Sequence, residues 1–118
     1  MVGAFALLAA LAAPLQAQVT AMPELAAAQQ AVSRADQADA DQYAPELLNS
    51  ARSALAQAQA AAATRRDRKL APQLAARATA DADLARARSN EAVATAQLQQ
   101  RRQEISELQR TLGEESAR

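Results

Sequence analysis

The sequence predicts an all-α fold: a helical hairpin or three-helix bundle from which a long C-terminal helix extends as a coiled coil. Three observations point there. Of the 118 residues, 36 are alanine, the residue with the best helix propensity and no side-chain entropy to lose. Aromatic and β-branched residues are scarce, with Tyr43 and Phe5 the only rings, so a sheet has little to build on. Between Tyr43 and Arg88, alanine and leucine recur every third or fourth residue in two runs joined by a short basic break, which is helical spacing. Large apolar side chains past residue 17 are few. Each stabilises by about 1.5–3 kcal/mol when buried, against a backbone entropy cost of about 1–2 kcal/mol per ordered residue. A compact monomer is therefore marginal, and helix propensity has to carry much of the fold.

Taken in order, the chain divides into a signal peptide (1–17), an alanine-rich helical domain (18–95) and a coiled-coil extension with its tail (96–118). Residues 1–17, MVGAFALLAALAAPLQA, have the apolar run of a secretory signal and fall short of the ~20 residues that span a bilayer. Pro14 breaks the run ahead of a cleavage region after Ala17 or Ala21. No Lys or Arg precedes the run, so either the amino terminus supplies the charge or translation starts upstream. The alternative is an uncleaved inner-membrane anchor. Without a cysteine at its end, the run is not a lipoprotein signal.

The first helix is expected from Pro23 to Asp41. Proline suits a first helical position, Glu24 sits well at the positive end of the dipole, and Leu25, Ala28, Val32 and Ala35 share one face. Tyr43-Ala44-Pro45 makes a break, since a residue before proline avoids the helical region. The second helix runs from Pro45 to Ala63, with Leu48, Ala51, Leu55, Ala58 and Ala62 on one face. So short a break favours an antiparallel pair, with Tyr43 packed at the end of the bundle and its hydroxyl in water. Thr64–Lys69 is the second break, with Asp67 placed to cap the third helix. That helix is expected from Gln73 to Leu112 with Gly113 as its stop. At ~1.5 Å per residue it is roughly 60 Å long, so its second half must project. This half carries a seam of alternating three- and four-residue steps: Leu84, Ala87, Glu91, Ala94, Leu98, Arg101, Ile105, Leu108 and Leu112. This is the coiled-coil pattern, interrupted by Glu91 and Arg101. Glu24-Leu25, Glu46-Leu47 and Gln73-Leu74 open the three helices alike, as in a degenerate repeat.

The 13 basic and 13 acidic residues cancel, which argues against nucleic acid as a partner, because that affinity comes from counterion release by net positive charge. The absence of cysteine and histidine removes thiolate chemistry and the usual transition-metal ligands. Asp36, Asp39 and Asp41 lack the glycine and closing glutamate of a calcium loop. Asp81 and Asp83, two apart, do not share a helix face and make a poor acid/base pair. No catalytic, cofactor or metal residue is expected, and no cofactor. The candidate partner-binding residues are Leu98, Ile105, Leu108 and Leu112. Arg65, Arg66, Arg68 and Lys69 form a candidate contact for an anionic surface, at the opposite pole of a hairpin from the three aspartates.

YAPELLNSARSALAQAQAA followed by LAARATADADLARARS resembles the bacterial domain-of-unknown-function family 4398. Its pattern is a tyrosine-alanine-proline opening to an alanine-rich helix, a short break, then leucine-alanine and an alanine-aspartate-alanine run. Tyr43, Ala44, Pro45, Leu55, Ala58, Leu74, Ala75, Ala78, Asp81, Ala82, Leu84 and Ala85 occupy matching places, over roughly residues 23–95. The chain departs at the second break, with Arg66-Asp67-Arg68 where members often carry glycine-aspartate-tyrosine. The resemblance implies an exported helical envelope protein with no established activity, and it transfers no functional residues. Some relatives carry a C-terminal OmpA-like domain that binds peptidoglycan; these residues contain none, so wall binding is not carried over. The expectation is a non-enzymatic structural or scaffolding protein of the Gram-negative envelope, periplasmic, associating through helices with itself or another helical envelope protein. Membrane contact is expected only through residues 1–17 if they stay uncleaved. The alternative is an amphipathic protein lying on the membrane surface, which would need a broad bulky apolar face and a basic rim.

Overall fold

A computed structural model describes residues 22–118; the expected signal segment 1–17 lies outside them. All regular structure among the described residues is helical: α1 (Pro23–Gln37), α2 (Ala40–Tyr43), α3 (Pro45–Ala63), a 3₁₀ turn (Arg68–Leu70) and α4 (Ala71–Ser116). Pro23 and Pro45 open α1 and α3, and Pro72 sits in the first turn of α4. There the missing N–H is harmless and the fixed φ is already helical. The leucine two residues after each proline (Leu25, Leu47, Leu74) packs partly buried against the core. The repeated opening is therefore also a repeated packing position.

α1, α3 and α4 form a three-helix head, in which α4 lies against both of the others. The core is mostly alanine. Ala28, Ala31, Val32 and Ala35 of α1 meet Leu48, Ala51, Ala54, Ala58 and Ala61 of α3 and Ala71, Ala75, Ala78, Ala82 and Ala85 of α4, all buried. Among the described residues, Leu48 is the one large aliphatic side chain with no exposed surface. On α3 the buried face includes Ala54 and Ala61, with Leu55 and Ala62 half-buried beside it. The expected face is thus rotated slightly towards the smaller residues. Small side chains let helix backbones approach closely, so contact comes from proximity rather than from bulk.

Four local expectations change. The first helix stops at Gln37 rather than Asp41. Asp39 takes a left-handed conformation (φ 58°), which aspartate tolerates better than most residues, and α2 starts one residue later. Gly113 does not end α4, which continues to Ser116. A glycine terminates a helix when the chain must turn, and among the described residues nothing packs against α4 at Gly113 to turn it. Asp67 makes no capping bond with its side chain. Instead its backbone N–H donates to Thr64 Oγ1 at 3.3 Å. Tyr43 is 40% exposed rather than packed, because the neighbouring core residues are too small to enclose a ring.

Three polar contacts fix the helices in register. Ser50 Oγ donates to Asp81 Oδ2 at 2.8 Å, joining α3 to α4. Arg52 Nη2 lies 2.5 Å from Asp36 Oδ1, joining α3 to α1. Ser89, the one buried polar residue among those described, donates its hydroxyl to the Ala38 carbonyl. That carbonyl belongs to the open end of α1, where helical acceptors lack partners. Loss of the Ser50 bond in Ser50→Ala is expected to lower stability by about 1 kcal/mol. A urea melt followed by circular dichroism would read this as an earlier midpoint; an unchanged midpoint would mean that water serves Asp81 equally well.

Candidate interaction surface

α4 carries two seams. The inner one, Ala71, Ala75, Ala78, Ala82, Ala85 and Ser89, is the buried face of the helix. From Asn90 onward no residue is buried. The remaining 27 residues to Ser116 reach about 40 Å beyond the head at ~1.5 Å per residue. The outer seam is the one expected from the sequence, and its first three members each come two positions after an inner-seam residue: Leu84 after Ala82, Ala87 after Ala85, Glu91 after Ser89. Two residues are roughly 200° round a helix, so the outer seam looks away from the head. Its large side chains are solvent-exposed: Leu98 50%, Ile105 54%, Leu108 63% and Leu112 62%. Leu84 and Leu70, on the same line, are exposed as well.

Both charged members of this seam, Glu91 and Arg101, are paired within the chain. Arg88 Nη1 lies 3.3 Å from Glu91 Oε2, and Arg101 Nη1 lies 2.9 Å from Glu104 Oε2. Both pairs are exposed and individually contribute little to stability. Leu98 and Arg101 border a shallow groove with Ala94 and Gln97. Such a depression is open helix surface and encloses no cavity.

Arg65, Arg66, Arg68 and Lys69 are all exposed at the α3–α4 turn, next to Leu70. Ser89 bonds to Ala38 at the far end of the head, so the basic turn and the Asp36–Asp41 segment do occupy opposite poles. Asp36 is tied to Arg52, which leaves the acidic pole less charged than the sequence suggests. Asp81 and Asp83 diverge as expected. Asp81 accepts from Ser50 and faces Arg77 at 3.8 Å, whereas Asp83 lies 3.8 Å from Arg86. Among the described residues no group of three acidic side chains is placed to hold a metal ion. No helix among them is long and apolar enough to cross a membrane.

Sequence reasoning missed Ser89 and Ser50. A single serine in an alanine-rich helix carries no periodic signal, and only the long-range contact gives it a role. No curated protein and no solved structure matches this chain. The family model of the Domain of unknown function DUF4398 matches residues 23–101, a span that includes the whole head and the first turns of the projecting helix. With well over half of its length matched, the chain belongs to the DUF4398 family.

Proposed function

We propose that this chain is a non-enzymatic structural or scaffolding protein of the bacterial cell envelope that acts through helix–helix association. The observation that carries this reading is the outer seam of α4. Four large aliphatic side chains stand in heptad spacing, exposed, on a face turned away from the chain's own core. Repeated a/d positions of this kind gain their stabilisation only when a second helix covers them. The head then acts as a rigid mount that holds the projecting helix at a fixed angle. Export to the periplasm rests on the signal-like run 1–17.

The test is solution mass by size-exclusion chromatography with light scattering over a concentration series. A stable oligomer is expected, with Ile105→Asp raising its dissociation constant on the order of a hundredfold or more, because two desolvated carboxylates would replace two buried aliphatic groups. The melting of the head should not respond to this change beyond its link to assembly, since Ile105 touches no head helix. A helical monomer at every concentration would defeat self-assembly.

A second reading has one observation in its favour. The exposed cluster Arg65, Arg66, Arg68 and Lys69, with exposed Leu70 beside it, is the composition of a contact for anionic lipid. Against it, the broad face of each head helix is alanine already used in packing. Flotation of the protein with anionic but not neutral liposomes, weakened by salt, would favour this membrane-surface reading over scaffolding.

A further inference from the structure

We infer that the outer seam of α4 pairs with α4 of a second copy, running antiparallel, in the register that sets residue 96 level with residue 96. This rests on the association proposed above and adds the occupant, its direction and its register. The two charged seam residues, Glu91 and Arg101, decide the direction. In a parallel, in-register pair each seam position faces its own counterpart. Glu91 would meet Glu91 and Arg101 would meet Arg101, two like-charge contacts in a partly desolvated seam. Reversing one helix brings the two classes of seam position opposite each other, so a Glu91 layer can face an Arg101 layer.

One antiparallel register does this. With residue 96 at the centre, Glu91 faces Arg101 of the second copy, Ala94 faces Leu98, Ala87 faces Ile105 and Leu84 faces Leu108. Continued outward, Ala80 faces Leu112 and Arg77 faces Glu115. Three layers set a small residue against a large one, which keeps the filling of the seam even. Both charged layers join opposite charges. Sliding by one heptad either way puts Glu91 against Ala94 or Leu108 and Arg101 against Leu84 or Leu98, leaving buried charges without partners.

The structure already holds the other half of the charge network. Arg88 pairs with Glu91, and Arg101 pairs with Glu104, within one chain. Joining Glu91 to Arg101 of the second copy completes an alternating row: Arg88, Glu91, then Arg101 and Glu104 of the second copy. It occurs twice by symmetry. One like-charged flank remains, Arg88 near Arg102 of the second copy, at the solvent edge where salt screens it. The heads do not interfere. Each lies on the inner-seam side of its own α4, so the two sit on opposite faces and at opposite ends of the paired helices.

The experiment uses the native chain purified from cells, so that processing of residues 1–21 is the cell's own. The protein has no cysteine, so introduced thiols report alone. Leu84→Cys and Leu108→Cys chains are oxidised separately and as a mixture. The expected result is a disulfide-linked dimer in the mixture at several times the yield of either variant alone. Efficient self-linking of Leu108→Cys would mean a parallel pair. That overturns this inference while the association itself stands. A monomer by light scattering with no cross-link in any sample overturns both. Charge exchange supplies a second readout. Glu91→Arg or Arg101→Glu should each weaken the dimer roughly tenfold or more, and the two together should restore it to within a few-fold. Double-variant affinity no better than that of the single variants would exclude the antiparallel register.

Discussion

Ala82→Leu is expected to unfold the head or to lower its stability by about 3 kcal/mol. Ala82 has no exposed surface and sits on the inner seam of α4, within the cluster that joins Ala31, Val32 and Ala35 of α1 to Leu48 and Ala51 of α3. Three additional carbons have no space there unless two helices separate. Overpacking a well-filled core costs about 1–3 kcal/mol and occasionally more. The upper end applies here because the helices are held close by small residues on every side, with few long side chains that could rotate aside. The control is Ala96→Leu, an exposed position on the projecting part of α4, where a change within about 0.5 kcal/mol is expected. Urea melts at one protein concentration would compare the two, since the proposed assembly would make apparent stability concentration-dependent. A wild-type melt for Ala82→Leu would mean that the helices are not closely packed along this seam.

Leu48→Ala is expected to cost about 2–5 kcal/mol, the range for a buried leucine whose cavity cannot fully collapse. Leu48 is the single fully buried large aliphatic residue among those described, lying among Ala35, Ala40, Ala44 and Ala51 in the cluster nearest Ser89. Alanines cannot lean into the space it leaves, so little relaxation is available. Small domains have a total stability of roughly 5–15 kcal/mol, and one with so few large core residues belongs at the low end. Loss of cooperative unfolding in the Leu48→Ala head is therefore the expected extreme. Leu48→Met, close in volume, should cost less than about 1.5 kcal/mol. Equal effects from the two changes would show that position 48 responds to shape alone and not to lost volume.

Much of this architecture was legible in the residues. The second helix begins and ends at the expected places, because Pro45 opens it and the alanine run closes at a polar, basic break. The first helix was legible except at its end, where Asp39 adopts a backbone conformation more often signalled by glycine. Gly113 misled in the opposite direction: it is a weak helix former with no structural demand placed on it. The outer seam was legible as a period. The partners of Ser50, Arg52 and Ser89 were not, because each contact joins residues far apart in sequence.

By itself, the sequence determined the helical class, the two breaks (one at Pro45, one at the basic run Thr64–Lys69) and the heptad period along the last helix. Local propensity and spacing suffice for these. Only the tertiary structure decided which side of α4 turns inward. Leucines and isoleucine on a regular seam would ordinarily be assigned to the core, yet the alanine seam two positions away takes that place. Two helices must approach α4 together, and a row of alanines, ending in a serine that reaches the Ala38 carbonyl, lets both come close. A row of leucines would hold them apart, so the bulky residues remain on the outside of the molecule.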